Sequence, residues 1–302
     1  MSYGKVNITD ITDRITLHRY IETPFNEGNI VCVEMNDGLI FIDAGRNVNH
    51  AKKFRKQMEE KYQKATKFLI LTHTHTDHIY GMGAFNDVPA IMAIQGKEEI
   101  AQLHAEHFDT REGRKAYLDE LTKTLQETNY PNMDAWLNYN VPTQLDADWF
   151  DPQILIKDSM EITDGEHEIV LKVVGGHSPC SLVIFDKTSN ILFTGDNLNS
   201  EHADNSGCML ARAYLGIDLM EKWLDKDITL FVPGHGKPVD IGYLEIALAY
   251  FKSMKKSLTN LKEKQTPEEY IFNHPSIPAF YEDKTPKYIN RILSRWYGQI
   301  KI

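Results

Sequence analysis

The sequence predicts an α/β fold, on three observations. Short apolar runs of strand length recur in two series, one ending near Ile94 and one from Ile154 to about Val232. Stretches with apolar residues at helical spacing lie between and after these runs. Side chains capable of metal or acid–base chemistry gather where apolar runs end.

The first series comprises Ile15-Thr16-Leu17, Ile30-Val31-Cys32-Val33-Glu34 and Leu39-Ile40-Phe41-Ile42. Asn36-Asp37-Gly38 joins the last two as a hairpin turn, because these residues tolerate the left-handed backbone that tight hairpins need. A helix is expected from about His50 to Tyr62, with Ala51, Phe54, Met58 and Tyr62 along one stripe. A strand follows at Lys67-Phe68-Leu69-Ile70-Leu71, then a helix starting near Gly81 and a strand at Ala90-Ile91-Met92-Ala93-Ile94. From about Gly96 to Tyr139 the pattern is helical and charged, broken at Pro131, and reads as a helical insertion over about residues 96–140. In the second series stand Ile169–Val174, Leu182–Phe185, Ile191–Phe193 and Leu230–Val232. Beyond Asp240 the chain is helical, with Tyr243, Ile246, Ala247, Tyr250 and Met254 on one stripe and a last helix at about Pro286 to Gln299. The expected organisation is a main domain over 1–240 and a helical C-terminal extension over 241–302 packing on its core.

With 302 residues, 42% hydrophobic and 25% charged, the composition is that of a globular protein with a large core. The net charge of -10 repels phosphate backbones and argues against a nucleic-acid partner. The N-terminus lacks an apolar signal core, and no stretch approaches the roughly 20 apolar residues of a membrane span, so a cytoplasmic protein with no membrane partner is expected. Cys32, Cys180 and Cys208 are odd in number and widely spaced, which argues against a disulfide framework.

Thr72-His73-Thr74-His75-Thr76-Asp77-His78 follows the apolar run ending at Leu71. Imidazoles and a carboxylate are ligands that zinc and similar divalent ions prefer. His73 and His75 point the same way from an extended backbone, since side chains alternate along it. Asp77 and His78 lie beyond, where the chain turns, and can reach a second metal. Three later apolar runs repeat a pattern of strand, glycine and ligand: Val173-Val174-Gly175-Gly176-His177, Ile191-Leu192-Phe193-Thr194-Gly195-Asp196 and Leu230-Phe231-Val232-Pro233-Gly234-His235. Each alone reads as a loop or capping residue; the shared pattern after the first cluster argues for one ligand set.

These residues make the chain resemble the metallo-β-lactamase-fold hydrolases over about residues 10 to 240. The His-x-His-x-Asp-His signature is His73, His75, Asp77 and His78, and the later family positions match His177, Asp196 and His235. The resemblance implies a four-layer αββα sandwich with metals at one edge, and makes residues 1–240 its catalytic domain. It implies two divalent ions, zinc above all, with iron or manganese suited to the same ligands. His73, His75 and His177 would hold one ion, Asp77, His78 and His235 the other, and Asp196 would bridge them. Asp43, after Leu39–Ile42, matches the family's early strand-end aspartate. It would accept a hydrogen bond from a ligand imidazole, or else stabilise its own turn.

The activity this implies is attack of a metal-bridging hydroxide on a thioester, ester or lactone carbonyl of a small molecule, with Asp77 passing a proton to the leaving group. An aspartate at Asp196 resembles glyoxalase II-like thioesterases and lactonases more than true β-lactamases. The length, insertion and helical C-terminus also resemble the quinolone-signal response thioesterases. Two alternatives stay open. A phosphodiesterase of the same fold would need cations near the metals, for which Arg212 and Lys237 are the visible candidates. A non-catalytic ligand-sensing protein could retain the metal site. No substrate contact is assigned: Tyr117, Tyr130, Trp136, Tyr139, His202 and the loop Asn197–Tyr214 are candidates, and aromatics in helices are mostly core. The C-terminal helices cover the site or form a homodimer face.

Overall fold

The structure is a computed structural model, and it describes residues 5–22, 27–105, 109–127, 134, 145, 149–200, 213–279 and 286–300. The chain divides into two units, Met1–Val173 and Val174–Ile302.

In the first unit the strands are β1 (Lys5–Thr12), β2 (Ile15–Glu22), β3 (Ile30–Glu34), β4 (Leu39–Ile42), β5 (Thr66–Ile70), β6 (Ala90–Ala93) and β7 (Ile154–Ile156), which form one sheet in that order. Pairing is antiparallel from β1 to β4 and parallel from β4 to β7. The change at β4 matters for the site. Because β4 and β5 run parallel, with Ile42 opposite Ile70, both chains leave the sheet at the same edge. A hairpin of β8 (Ser159–Asp164) and β9 (His167–Val173) completes the strands of this unit.

Helix α1 (Val48–Tyr62) packs on the sheet. Asn47 caps it, its side-chain oxygen accepting from the backbone N–H groups of Asn49 and His50 at 3.0 and 3.2 Å. The cap explains why the helix starts two residues before the apolar stripe suggests. Val48, Ala51, Phe54 and Met58 form its buried face, in one cluster with Phe41, Leu69, Phe85 and Met92. Burying a side chain such as Phe54 contributes about 2–3 kcal/mol. Helices α3 (Lys97–Leu103) and α4 (Arg111–Glu127) occupy the described part of the expected insertion.

Three expectations change. No helix starts at Gly81: a four-residue helix α2 (Thr76–Ile79) leads into a 3-10 segment, Tyr80–Phe85. Gly81 gives its N–H to Gly45 O at 2.8 Å rather than to the preceding turn, and a Cβ on it would fall 2.0 Å from the carbonyl oxygen of Ala44. The run at Ile154, read as opening the second strand series, instead pairs with β6 as the last strand of the first sheet. The edge strand β1, polar and largely exposed, carries no apolar run to announce it.

The second unit contains β10 (Leu182–Asp186), β11 (Ile191–Asn199) and β12 (Leu230–His235), with β11 between the other two. Strand β10 is antiparallel to β11, and β12 is parallel to it. The start of β10 and the ends of β11 and β12 therefore share one edge. Helices α5 (Ala213–Leu224), α6 (Ile241–Glu263) and α7 (Pro286–Gln299) pack here, burying Trp223, Phe251 and Trp296 with Leu192 and Phe231. Strands β11 and β12 run further than their apolar stretches, so Asp196 and His235 lie within the paired strands rather than after them. The register shifts on either side of Gly195 show the irregular pairing that turns these residues. Among the described residues no helix is long and apolar enough to cross a membrane.

Candidate metal centre

The metal-competent residues fall into two sets, one in each unit. In the first unit, β5 delivers Thr72–His78 beside the segment Asp43-Ala44-Gly45-Arg46 that leaves β4. The two segments are bound at nearly every step. Asp43 donates its N–H to Ile70 O at 2.8 Å, Ala44 N–H donates to His78 O at 2.8 Å, and Gly81 N–H donates to Gly45 O at 2.8 Å.

Asp43 is the centre of this bracing. Its Oδ1 accepts from Thr72 N at 2.7 Å, and its Oδ2 accepts from Thr72 Oγ1 at 2.8 Å and from His78 Nδ1 at 2.8 Å. A carboxylate only accepts, so His78 carries its proton on Nδ1 and offers Nε2 to a metal. The Thr72 hydroxyl gives its proton to Asp43, so it accepts from His73 Nδ1, 3.0 Å away. His73 is thereby also oriented with Nε2 outward. Asp43 thus bonds both to an imidazole and to the neighbouring Thr72 segment. Asp43 adopts a left-handed backbone (φ 58°), a conformation aspartate tolerates better than most residues.

Ligand-capable atoms of His73 and His75 lie within 4.8 Å of one another, as do those of Asp77 and His78. The ring centroids of His73 and His75 are 4.6 Å apart, as two residues of one extended segment require. His75 is the residue before α2, and Asp77 and His78 lie in that short helix. Thr74, between the two histidines, donates to Glu99 Oε2 of α3 at 2.6 Å.

In the second unit the ligands come from three places: His177 from the turn before β10, Asp196 from within β11 and His235 from the last position of β12. Gly175 and Gly176, both at positive φ (66° and 95°), carry the chain into His177, whose N–H donates to the Asn197 side-chain oxygen at 2.9 Å. A Cβ on Gly176 would meet that oxygen at 2.1 Å, so the turn closes only around glycine. Asp196 Oδ2 lies 3.4 Å from His177 Nε2 and 3.3 Å from His235 Nε2. Gly234 makes room for this carboxylate: a Cβ there would fall 2.1 Å from Asp196 Oδ1.

The donors fit a divalent metal. All seven are imidazole nitrogens or carboxylate oxygens, the mixture suited to zinc, iron or manganese. The sulfur atoms are placed otherwise: Cys32 and Cys180 are buried thiols, and burial pushes the Cys32 thiol far up from its ordinary value.

One cation near the ligands escapes sequence reading. Arg46 donates from Nε to Glu27 Oε2 at 3.1 Å and from Nη1 to Thr76 Oγ1 at 3.1 Å, and its Nη2 lies 3.9 Å from Asp77 Oδ1. Its only local signal is its place directly after Asp43-Ala44-Gly45. Of the cations the sequence did suggest, Lys237 is exposed. Arg212, His202, Cys208, Tyr130, Trp136 and Tyr139 lie outside the described residues. Tyr117 is partly buried against the first core cluster, as expected of a helical aromatic.

The family model of the metallo-β-lactamase superfamily matches residues 23–241, and the chain belongs to that superfamily. Its members are metal-dependent hydrolases, and the chain carries His and Asp groups suited to a metal in both units. The chain is 24% identical over 250 residues to the metallo-β-lactamase type 2 of Bacillus sp. (strain 170), covering 80% of each. Among solved structures it resembles the metallo-β-lactamase from Pontibacter korlensis, at 16% identity and a TM-score of 0.57 over 82% of this chain and 99% of that one. It also resembles the stereoselective inverting sec-alkylsulfatase Pisa1 from Pseudomonas sp., at 15% identity and a TM-score of 0.69, covering 97% of this chain and 50% of that one. The chain thus spans about half the length of that alkylsulfatase. The fold is the superfamily's mixed α/β fold, with two sheets packed against helices.

Proposed function

We propose that the chain is a binuclear metal-dependent hydrolase acting on a thioester, ester or lactone carbonyl of a small molecule. One observation carries the binuclear reading: a single carboxylate oxygen, Asp196 Oδ2, stands almost equidistant from His177 Nε2 and His235 Nε2, at 3.4 and 3.3 Å. That is the placement a carboxylate needs to serve two ions at once. His73, His75, His177 and Asp196 would hold one ion, and Asp77, His78, His235 and Asp196 the other. Zinc suits the donors best. Two such ions, when bound, lower the pKa of water and polarise the substrate oxygen on which charge accumulates.

The chain's own residues do the rest. Asp43 fixes His78 directly and His73 through Thr72, so both imidazoles keep one tautomer throughout turnover. Asp77 takes the proton of the attacking water and returns it to the leaving group, which needs a carboxylate at the site and not deep within the core; its side chain retains 15% exposure. A net charge of -10 favours a small molecule over a nucleic acid as substrate.

A second reading, hydrolysis of an alkyl sulfate ester, is favoured by the sec-alkylsulfatase fold match, whose 97% span of this chain exceeds the 82% of the Pontibacter enzyme. Zinc-loaded protein assayed on an acyl thioester, a lactone, an aryl ester and an alkyl sulfate separates the two. Turnover of a carbonyl substrate that Asp77→Asn abolishes, with an unchanged circular dichroism spectrum, supports the first reading. Turnover confined to the sulfate ester replaces it with the second. No turnover by fully loaded protein on any of the four leaves the non-catalytic alternative in place.

A further inference from the structure

We propose that Arg46, held in place by Glu27, is a positioning residue that orients Asp77 toward the second ion. The inference rests on the binuclear reading above. It begins with an energetic oddity. Arg46 is a guanidinium with 15% side-chain exposure, and Glu27 has 0%. Two charges removed from water this far are costly unless paired and hydrogen-bonded, and hydrophobic residues of similar volume often serve stability equally well. The pair therefore calls for an explanation beyond holding the fold together.

Its position supplies one. Arg46 spreads over three partners: Glu27 through Nε, Thr76 through Nη1 and Asp77 beside Nη2. Thr76 is the first residue of α2, the short helix that carries both Asp77 and His78. A rigid planar fork can tie the helix start and face the carboxylate at once, which a lysine cannot. The loop bearing Glu27 closes on the same turn, since a Cβ on Gly28 would meet Asp77 O at 2.6 Å and the His78 ring at 3.0 Å.

The distances show why the arrangement steers Asp77 without consuming it. At 3.9 Å, Arg46 Nη2 is beyond hydrogen-bond length from Asp77 Oδ1, so the contact is a charge–charge one and takes up no lone pair of the carboxylate. Glu27 balances the guanidinium charge, so Arg46 does not compete with a divalent cation for Asp77. Burial acts to lower the Arg46 pKa, but Glu27 and then Asp77 outweigh it and hold the guanidinium charged.

The test measures metal binding on the full-length chain, with Zn²⁺ as the probe. Zinc per chain is counted by elemental analysis, each ion's affinity is taken from chelator competition, and the thermal midpoint of metal-free protein is recorded. Wild type should bind two ions. Arg46→Met should keep the first at wild-type affinity and bind the second about 10–100-fold more weakly. Arg46→Lys, which retains the charge opposite Glu27, should fall between them, and it carries the test if Arg46→Met does not fold. Glu27→Gln should also weaken the second ion alone, because the unbalanced guanidinium then competes for Asp77. Unchanged affinities in Arg46→Lys and Glu27→Gln, with only a lower thermal midpoint, would reduce the pair to a structural tie and overturn the proposal. Equal weakening of both ions overturns it as well. A wild-type protein that never takes more than one ion sinks the binuclear reading itself, and this proposal with it.

Discussion

In the first unit, four metal-competent residues share one stretch of seven residues, and the segment leaving the next strand braces it hydrogen bond by hydrogen bond. In the second unit, three residues come from three separate segments, and the carboxylate of Asp196 is what stands between the two imidazoles. The first set is organised by its own scaffold. The second is organised largely by one of its members. Removing a scaffold residue should therefore loosen the first set gradually, whereas removing Asp196 should dismantle the second.

The largest effect expected is that of Asp196→Asn. An amide keeps the shape and loses the charge that two ions would share. Turnover should fall by at least about 10³-fold, and bound metal should drop below two per chain while the fold persists. Retention of both ions at wild-type affinity would show that the second set is scaffolded like the first, and the comparison would break.

Asp43→Asn should do less. The amide can accept from only one oxygen, so the tautomer of His78 or the hydroxyl direction of Thr72 is no longer enforced. Metal affinity or activity should fall about 10–100-fold. A loss as deep as that of Asp196→Asn would mean that both sets depend on a single carboxylate in the same way.

Glycine substitutions sharpen the contrast by separating stability from chemistry. Gly81→Ala drives a Cβ into the backbone carbonyl of Ala44, which has no room to move because Ala44 N–H is tied to His78. The cost should be roughly 1–3 kcal/mol of stability, read as a lower urea midpoint. Gly234→Ala instead pushes first on the Asp196 carboxylate, at 2.1 Å, with the Gly195 and Asp196 backbone behind it at 2.9 and 3.0 Å. It should impair metal binding more than it lowers the urea midpoint. The reverse order of effects would contradict the contrast between a backbone scaffold and a side-chain one.

What the sequence disclosed follows the same division. His73, His75, Asp77 and His78 stand out because their spacing is local, and Asp43 because it ends an apolar run. His177, Asp196 and His235 are separated by long intervals, yet a glycine before each marks the turn that releases it. Glu27 and Arg46 carried no such mark. They lie 19 residues apart and meet because β3 and β4 run antiparallel, with Val31 opposite Ile42, so the chain entering β3 and the chain leaving β4 share one edge. The strand extents around Asp196 and His235 were hidden for a similar reason. Parallel pairing of β11 with β12 continues past the apolar stretch through glycines and polar residues that hydrophobic pattern cannot see. At Gly81 the N–H goes to Gly45 O across the fold instead of into a helix, a contact with no trace in local periodicity.

The bracing of the first set also has a chemical weakness, which gives the smallest effect per unit of condition changed. His18 on β2 is buried against Tyr20, His50 and Phe54, and the Tyr20 hydroxyl sits 3.5 Å from where a Cβ on Gly45 would be. Burial, with the nearby His50 next, pushes His18 down from 6.5 to about 3. The fold thus excludes a proton that the unfolded chain accepts. Stability from this group is complete above pH 6.5 and is lost as pH falls from there toward 3, at about 1.4 kcal/mol per pH unit. His18→Phe offers an uncharged ring to the same aromatic neighbours and should flatten that slope. Urea midpoints of metal-free wild type and variant at pH 7 and pH 5.5 should differ in their pH dependence by about 1.4 kcal/mol. His50, itself lowered by burial and then by Lys53, is present in both proteins, so the difference reports the replacement of His18. Identical slopes would mean that His18 does not carry the acid sensitivity of this scaffold, and the weakness ascribed to it would be absent.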